Sequence, residues 1–156
     1  MRKNLGVFAI IGLLGLSGCV STSVIPFSEN TLQINTSADP VCGGAGAQKV
    51  ALTDAAIATL NAGFDSFIIQ GSQAQNNVRV VGYTPVEAHT TSNGDGTSYT
   101  TVSGGQPIVG GTHDHSIVVQ MFHASDPNAA NTISARGYLG PDWQKIVAKG
   151  FPQTCT

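Results

Sequence analysis

The stretch GGAGAQKVALTDAAIATLNAG, residues 43–63, constrains the fold more than any other part of this 156-residue chain. It is the clearest helical pattern present. Ala47, Ala51, Ala55 and Ala58 recur at helical spacing as a stripe of small side chains, with Val50, Ile57 and Leu60 beside it. Gly63 stands where a left-handed C-terminal cap belongs. Such a stripe predicts a helix packed closely onto a sheet. Strand patterns surround it. TLQIN (31–35) alternates polar and apolar residues, FDSFIIQ (64–70) follows the helix at once, and VRVVGYTPV (78–86) comes next. HDHSIVVQMF (113–122) then returns as a core strand. The polar GSQAQNN between the second and third strands reads as a turn, and Pro26 makes residues 20–30 a tether or an edge segment.

Residues 87–111 contain TTSNGDGTSYTT, whose Asn-Gly and Asp-Gly turns between Thr-rich flanks predict a hairpin projecting from the body. A solvated loop on a rigid scaffold is a common recognition site, which makes Glu87, His89, Asn93, Asp95 and Tyr99 the candidate binding residues. Asp126-Pro127 reads as the start of a helix that Gly137 would disturb. Pro141-Asp142 opens a last short helix, with Trp143, Ile146 and Val147 on one face. The expected class is therefore α+β: a small, mostly antiparallel sheet of four or five strands, one packed alanine-rich helix, a projecting hairpin and short C-terminal helices.

The N-terminus carries Arg2 and Lys3, then twelve uncharged residues, Leu5 to Leu16. As a helix that run would be about 18 Å long against roughly 30 Å of bilayer hydrocarbon, so it has the layout of a secretory signal and not of a membrane span. Leu16-Ser17-Gly18-Cys19 resembles the bacterial lipoprotein signal, in which small residues precede a cysteine that is acylated before cleavage. The resemblance implies a signal peptide over 1–18 and Cys19 as the lipid-bearing first residue of the mature chain. Val20 in place of an aspartate implies sorting to the outer membrane, with a tether over 19–30 and one periplasmic domain over 31–156. With Cys19 assigned to lipid, Cys42 and Cys155 form an even pair in an oxidising compartment, where a disulfide is expected.

Beyond the first eighteen residues, five basic residues face nine acidic ones. A weakly acidic chain with no basic cluster argues against nucleic acid as a partner. Three patterns offer chemistry. His113 and His115 would share a strand face with Cα atoms about 6.6 Å apart, close enough to bind one metal ion if a third ligand joined them. His123 lies too far along the strand, which leaves His89, Glu87 or Asp95 of a folded-back hairpin; alternatively the histidines sit at the solvated start of a strand. CGGAGAQK precedes a helix but lacks the phosphate-loop spacing. Asp54 and Asp65 flank the Gly63 turn and read as solvated positions. With no nucleophile elbow and no Cys–His pair, the chain reads as non-catalytic and without a cofactor. A metal-binding or metal-dependent hydrolytic domain using His113 and His115 is the competing reading.

A cysteine before an alanine-rich helix, GFDSFII as the passage from helix to strand, further strands and a late cysteine together resemble the small periplasmic domain of the Rcs envelope-stress sensor lipoprotein. The same passage resembles several uncharacterised outer-membrane lipoprotein families. The matching part is roughly residues 42–81, with Cys155 as the staple. The resemblance implies the fold; the expected role is a non-catalytic envelope binding, structural or sensing module, with an envelope protein or the cell wall as partner. The sensor domain's second disulfide, however, has no counterpart here.

Overall fold

The computed structural model describes residues 19–155. The leader expected over 1–18, with Leu16, Ser17 and Gly18 of the cysteine motif, lies outside the described residues. In chain order the strands are β1 (Val20–Ser28), β2 (Thr31–Ala38), β3 (Ser66–Asn76), β4 (Arg79–Tyr83), β5 (Glu87–Ser92), β6 (Ser98–Ser103), β7 (Pro107–Gly110), β8 (His113–Phe122) and β9 (Ile133–Ser134). The helices are α1 (Gly43–Asn61), α2 (Ala135–Leu139) and α3 (Trp143–Lys149). Among the described residues no helix is long and apolar enough to cross a membrane.

Five strands form one sheet in the order β1-β2-β8-β3-β9, every neighbouring pair antiparallel. β2 buries Leu32, Ile34, Thr36 and Ala38 and leaves the residues between them half-buried, the period-2 pattern of a sheet with one covered face. β8 buries His115, Ile117, Val119 and Met121 on the same face. α1 covers that face. Ala47, Ala51, Ala55 and Ala58 are all buried, and these small side chains let the helix lie close over Phe67, Ile34 and Ile117. The Cys42–Cys155 disulfide is formed, tying the chain's end to the start of α1. The expected α+β class, sheet, helix and staple are those of the structure.

Two elements differ from expectation, and a third settles an alternative left open. GSQAQNN is no turn, because β3 runs on to Asn76, bulging at Gln70, with Gln73 and Gln75 opposite Ser116 and Asp114. Backbone pairing does not depend on side-chain polarity when the sheet face is open to water, which is why polarity misled here. Of the two readings of residues 20–30, the edge segment is the one found and the tether over 19–30 is not: β1 is the sheet's edge strand, and Val20 N donates to Gln153 O at 2.9 Å. The helix expected from Pro127 is a 3-10 turn over Pro127–Asn131, followed by β9 and the five-residue α2.

The projecting hairpin is longer than its turn signals indicated. Beyond the Asn76–His113 pair the same two strands continue as β4–β7 and then β5–β6, ending in the tip at Asn93–Thr97. At the strand rise this arm reaches about 50 Å when fully extended. Two glycines set its joints. Gly111 (φ +105°) faces Asn77, where a Cβ would lie 2.2 Å from the carbonyl oxygen; Gly104 (φ +93°) faces Pro85, where it would lie 1.8 Å away. No L side chain fits either place. Gly111→Ala is expected to cost about 1–3 kcal/mol and to speed amide exchange along β4, whereas Gly94→Ala, with open space around it, leaves exchange unchanged. Equal exchange in the two variants would show that the joint tolerates a side chain.

Candidate functional site

The sheet face away from α1 carries two rows of side chains that cross four strands. Register places Ser23, Asn35, Ser116 and Gln73 in one row, and Ser21, Ser37, Asp114 and Gln75 in the next. Around them is a cleft of about 640 Å³. Its floor is internally bonded. Gln33 Nε2 donates to Asn35 Oδ1 (3.0 Å) and to Ser116 Oγ (3.1 Å), and Ser116 Oγ donates to Asn35 Oδ1 (2.7 Å). Asp114 accepts from Ser37 Oγ and from Asn77 Nδ2, the latter at 2.6 Å. These bonds, Ser37's foremost and then those of Thr112 and Asn77, hold its carboxyl below the usual carboxylate range. The flanks differ. Among the described residues the side chains of Ser21, Ser23, Gln73 and Gln75 make no hydrogen bond, so they face the cleft with their capacity unspent. Farther along β1 lie Ile25, on the same face opposite Gln33, and Phe27, at the bulge between Pro26 and Ser28 and 59% exposed.

Beneath α1 a second polar group is sealed off. Asp54, expected at the surface, is fully buried. Thr22 Oγ1 (2.6 Å) and Thr36 Oγ1 (3.1 Å) both donate to its Oδ2, while Oδ1 has no partner among the described residues. Burial pushes its carboxyl up to about 6, with the Thr22 and Thr36 bonds pulling the other way. The signal was present in the sequence: Asp54 falls three residues after Ala51 and four before Ala58, on the buried stripe. Asp65, by contrast, is partly exposed, faces Arg136 (3.2 Å) and accepts from Ala124 N.

The two histidines do share the α1-facing side of β8. His113 is half-buried and His115 buried, and both line a cavity of about 170 Å³ near Gly44 and Ala47 at the start of α1. Burial pushes the His115 imidazole down, and its Nδ1 has no partner among the described residues. The proposed third ligands are elsewhere. Glu87 and His89 face each other at 3.8 Å on β5, and Asp95 turns back onto Thr97 at the tip. The arm pairs with itself and does not fold back to β8. Among the described residues no three His, Cys, Asp or Glu side chains come together as a metal centre would need.

On the arm, register puts Glu87, His89 and Tyr99 on one face of β5–β6, while Asn93 and Asp95 form the tip. The Thr97 hydroxyl and backbone hold the Asp95 carboxyl below its ordinary value. Sequence reading missed how apolar the arm is nearer its base. Val80, Val81, Ile108 and Val109 are all exposed and Tyr83 is 68% exposed, while Tyr99, near the tip, is 65% exposed. Cys19 is exposed, its sulfur outside the disulfide, and its backbone N–H donates to Asp39 Oδ2 at 2.8 Å. No protein-family model, no curated protein and no solved structure matches this chain.

Proposed function

We propose that the protein is an outer-membrane lipoprotein, acylated at Cys19 and facing the periplasm, that acts as a non-catalytic recognition module for the cell wall. The observation that carries this reading is the open sheet face: two rows of hydroxyl and amide side chains, four of them unengaged, with the one carboxylate of Asp114, around a cleft of ligand size. Hydroxyls and amides both donate and accept, the requirement for holding a ligand rich in hydroxyl and acetamido groups. No lysine or arginine lines the cleft, so it offers an anion no permanent positive charge. Asp114 accepts from Ser37 and Asn77 and stays ionised, an acceptor for ligand hydroxyls in the cleft floor. A neutral glycan, the chemistry of a cell-wall strand, fits these groups, and the exposed ring of Phe27 at the far end of β1 adds an apolar surface of the kind a pyranose stacks on.

The test is binding of the acylated protein in detergent to purified peptidoglycan sacculi, with chitotetraose as a soluble probe. Gln73→Ala with Gln75→Ala, both at exposed positions, should weaken binding roughly tenfold through the loss of two hydrogen bonds and leave the melting temperature unchanged. Chitotetraose should also shift the side-chain amide signals of Gln73 and Gln75. Retention on sacculi that is the same for wild type and double variant would remove the cleft from the reading.

A further inference from the structure

We infer that the arm, β4–β7 with its continuation β5–β6, lies in the headgroup region of the same leaflet that holds the acyl chains of Cys19, giving the domain a second membrane contact. This rests on the lipoprotein reading and adds the place of the arm. Strand register supplies the first argument. Val20 pairs with Ala38, Ala38 with His113, and His113 with Asn76, so these four residues mark one end of the sheet. Cys19 precedes Val20 at that end, and the arm leaves Asn76 and His113 at the same end. The β1–β2 turn at Glu29 lies at the other, nine strand residues away.

The surface joining the two is continuous. Asp39, which accepts from the Cys19 backbone, shares a groove of about 530 Å³ with Pro40, Val41, Val109 and Gly110. Val41 is 62% exposed, and Val109 belongs to β7. An anchor at Cys19 therefore brings the base of the arm to the bilayer with no intervening linker, since β1 begins one residue later.

The arm's composition suits that position. Val80 and Val109 are register partners, and across the bulge at Val81 Tyr83 shares their face. An exposed valine pair beside a tyrosine is the amphipathic combination found at membrane interfaces, apolar body inward and hydroxyl toward water. Burial in the hydrocarbon core is excluded, because a two-stranded ribbon has open edges whose N–H and C=O groups need water. Charge is nearly balanced: Arg79 against Glu87 and Asp95. Contact with the bilayer should therefore be apolar and indifferent to anionic lipid and to salt.

The experiment uses the full acylated chain in phosphatidylethanolamine vesicles, with an environment-sensitive fluorophore on Val102→Cys in the arm or on Glu29→Cys at the far turn. Both positions are exposed. The expected result is a blue-shifted Val102 label, quenched by doxyl groups on the lipid, and an aqueous, unquenched Glu29 label. Adding Val80→Ser, Tyr83→Ser and Val109→Ser should return the arm label to water, and adding phosphatidylglycerol should change nothing. An acylated chain whose arm label stays as aqueous as the Glu29 label overturns this inference alone. A chain that carries no acyl groups by mass spectrometry overturns the anchor as well. An arm label that blue-shifts only when an envelope protein is added, and that lipid doxyl groups never quench, would make the arm a protein-binding hairpin and overturn the bilayer contact.

Discussion

Replacing Cys42 and Cys155 with serine should lower the unfolding free energy by about 4–5 kcal/mol, the loop-closure entropy of a bridge between residues 113 apart. Against a typical total of roughly 5–15 kcal/mol, that is a large fraction of the molecule's stability. The structure shows what else the bridge holds in place. Cys42 and Cys155 pack against Val20, Ala38, Ala47 and Val50, the smaller of the two apolar clusters. Thr154 pairs with Cys19, and Gln153 accepts from Val20 N. Without the bridge the last residues should leave the β1 edge, and amide exchange at Val20 should quicken along with the drop in urea midpoint. Urea titrations of wild type with and without reductant, beside the double serine variant, measure this. A midpoint unmoved by reduction would mean that packing in that cluster alone suffices.

The second large effect concerns pH. Asp54 has a folded-state pKa raised to about 6, against an ordinary value near 3.8. Between those limits the folded state holds a proton that the unfolded state has released. The stability this provides is fully present below pH 3.8 and is lost as pH rises through 6. At 1.36 kcal/mol per unit the loss is about 3 kcal/mol. Asp54→Asn should remove that dependence: its amide oxygen still accepts from Thr22 and Thr36, and nothing ionises. The variant should match wild type near pH 4 and exceed it by about 1–3 kcal/mol at pH 8. His115, on the Thr36 rung of the same face, contributes in the opposite sense. Its folded pKa is lowered, so its share is present above the ordinary imidazole pKa and lost as pH falls. It enters both proteins alike and cancels in the difference. A difference curve that stays flat from pH 4 to 8 would show that Asp54 is not a strained buried carboxylate.

How far the site was legible follows from the range of the interactions that build it. The rows of the cleft draw residues from four strands, and each strand alone shows only an unremarkable alternation such as TLQIN. Ser23 stands beside Asn35 and Asn35 beside Ser116 because of pairings that join positions up to 81 residues apart. The histidine pair was legible as a pair, since a strand sets residues two apart on one face. That no third ligand stands beside it among the described residues was not legible, because it depends on where the arm goes.

The sequence by itself determined the elements whose cause is local. α1 follows from alanines at helical spacing, the core faces of β2 and β8 from period-2 alternation, and the Cys42–Cys155 bridge from an even count of cysteines once Cys19 was set aside. Tertiary structure alone decided that GSQAQNN extends β3, that residues 20–28 close the sheet's edge, that Asp54 faces inward and that the arm leaves the domain at the Cys19 end. Each of these depends on strand register and on which neighbour covers a given face. Backbone hydrogen bonds set register between segments far apart in the chain, and no short stretch of sequence contains both partners.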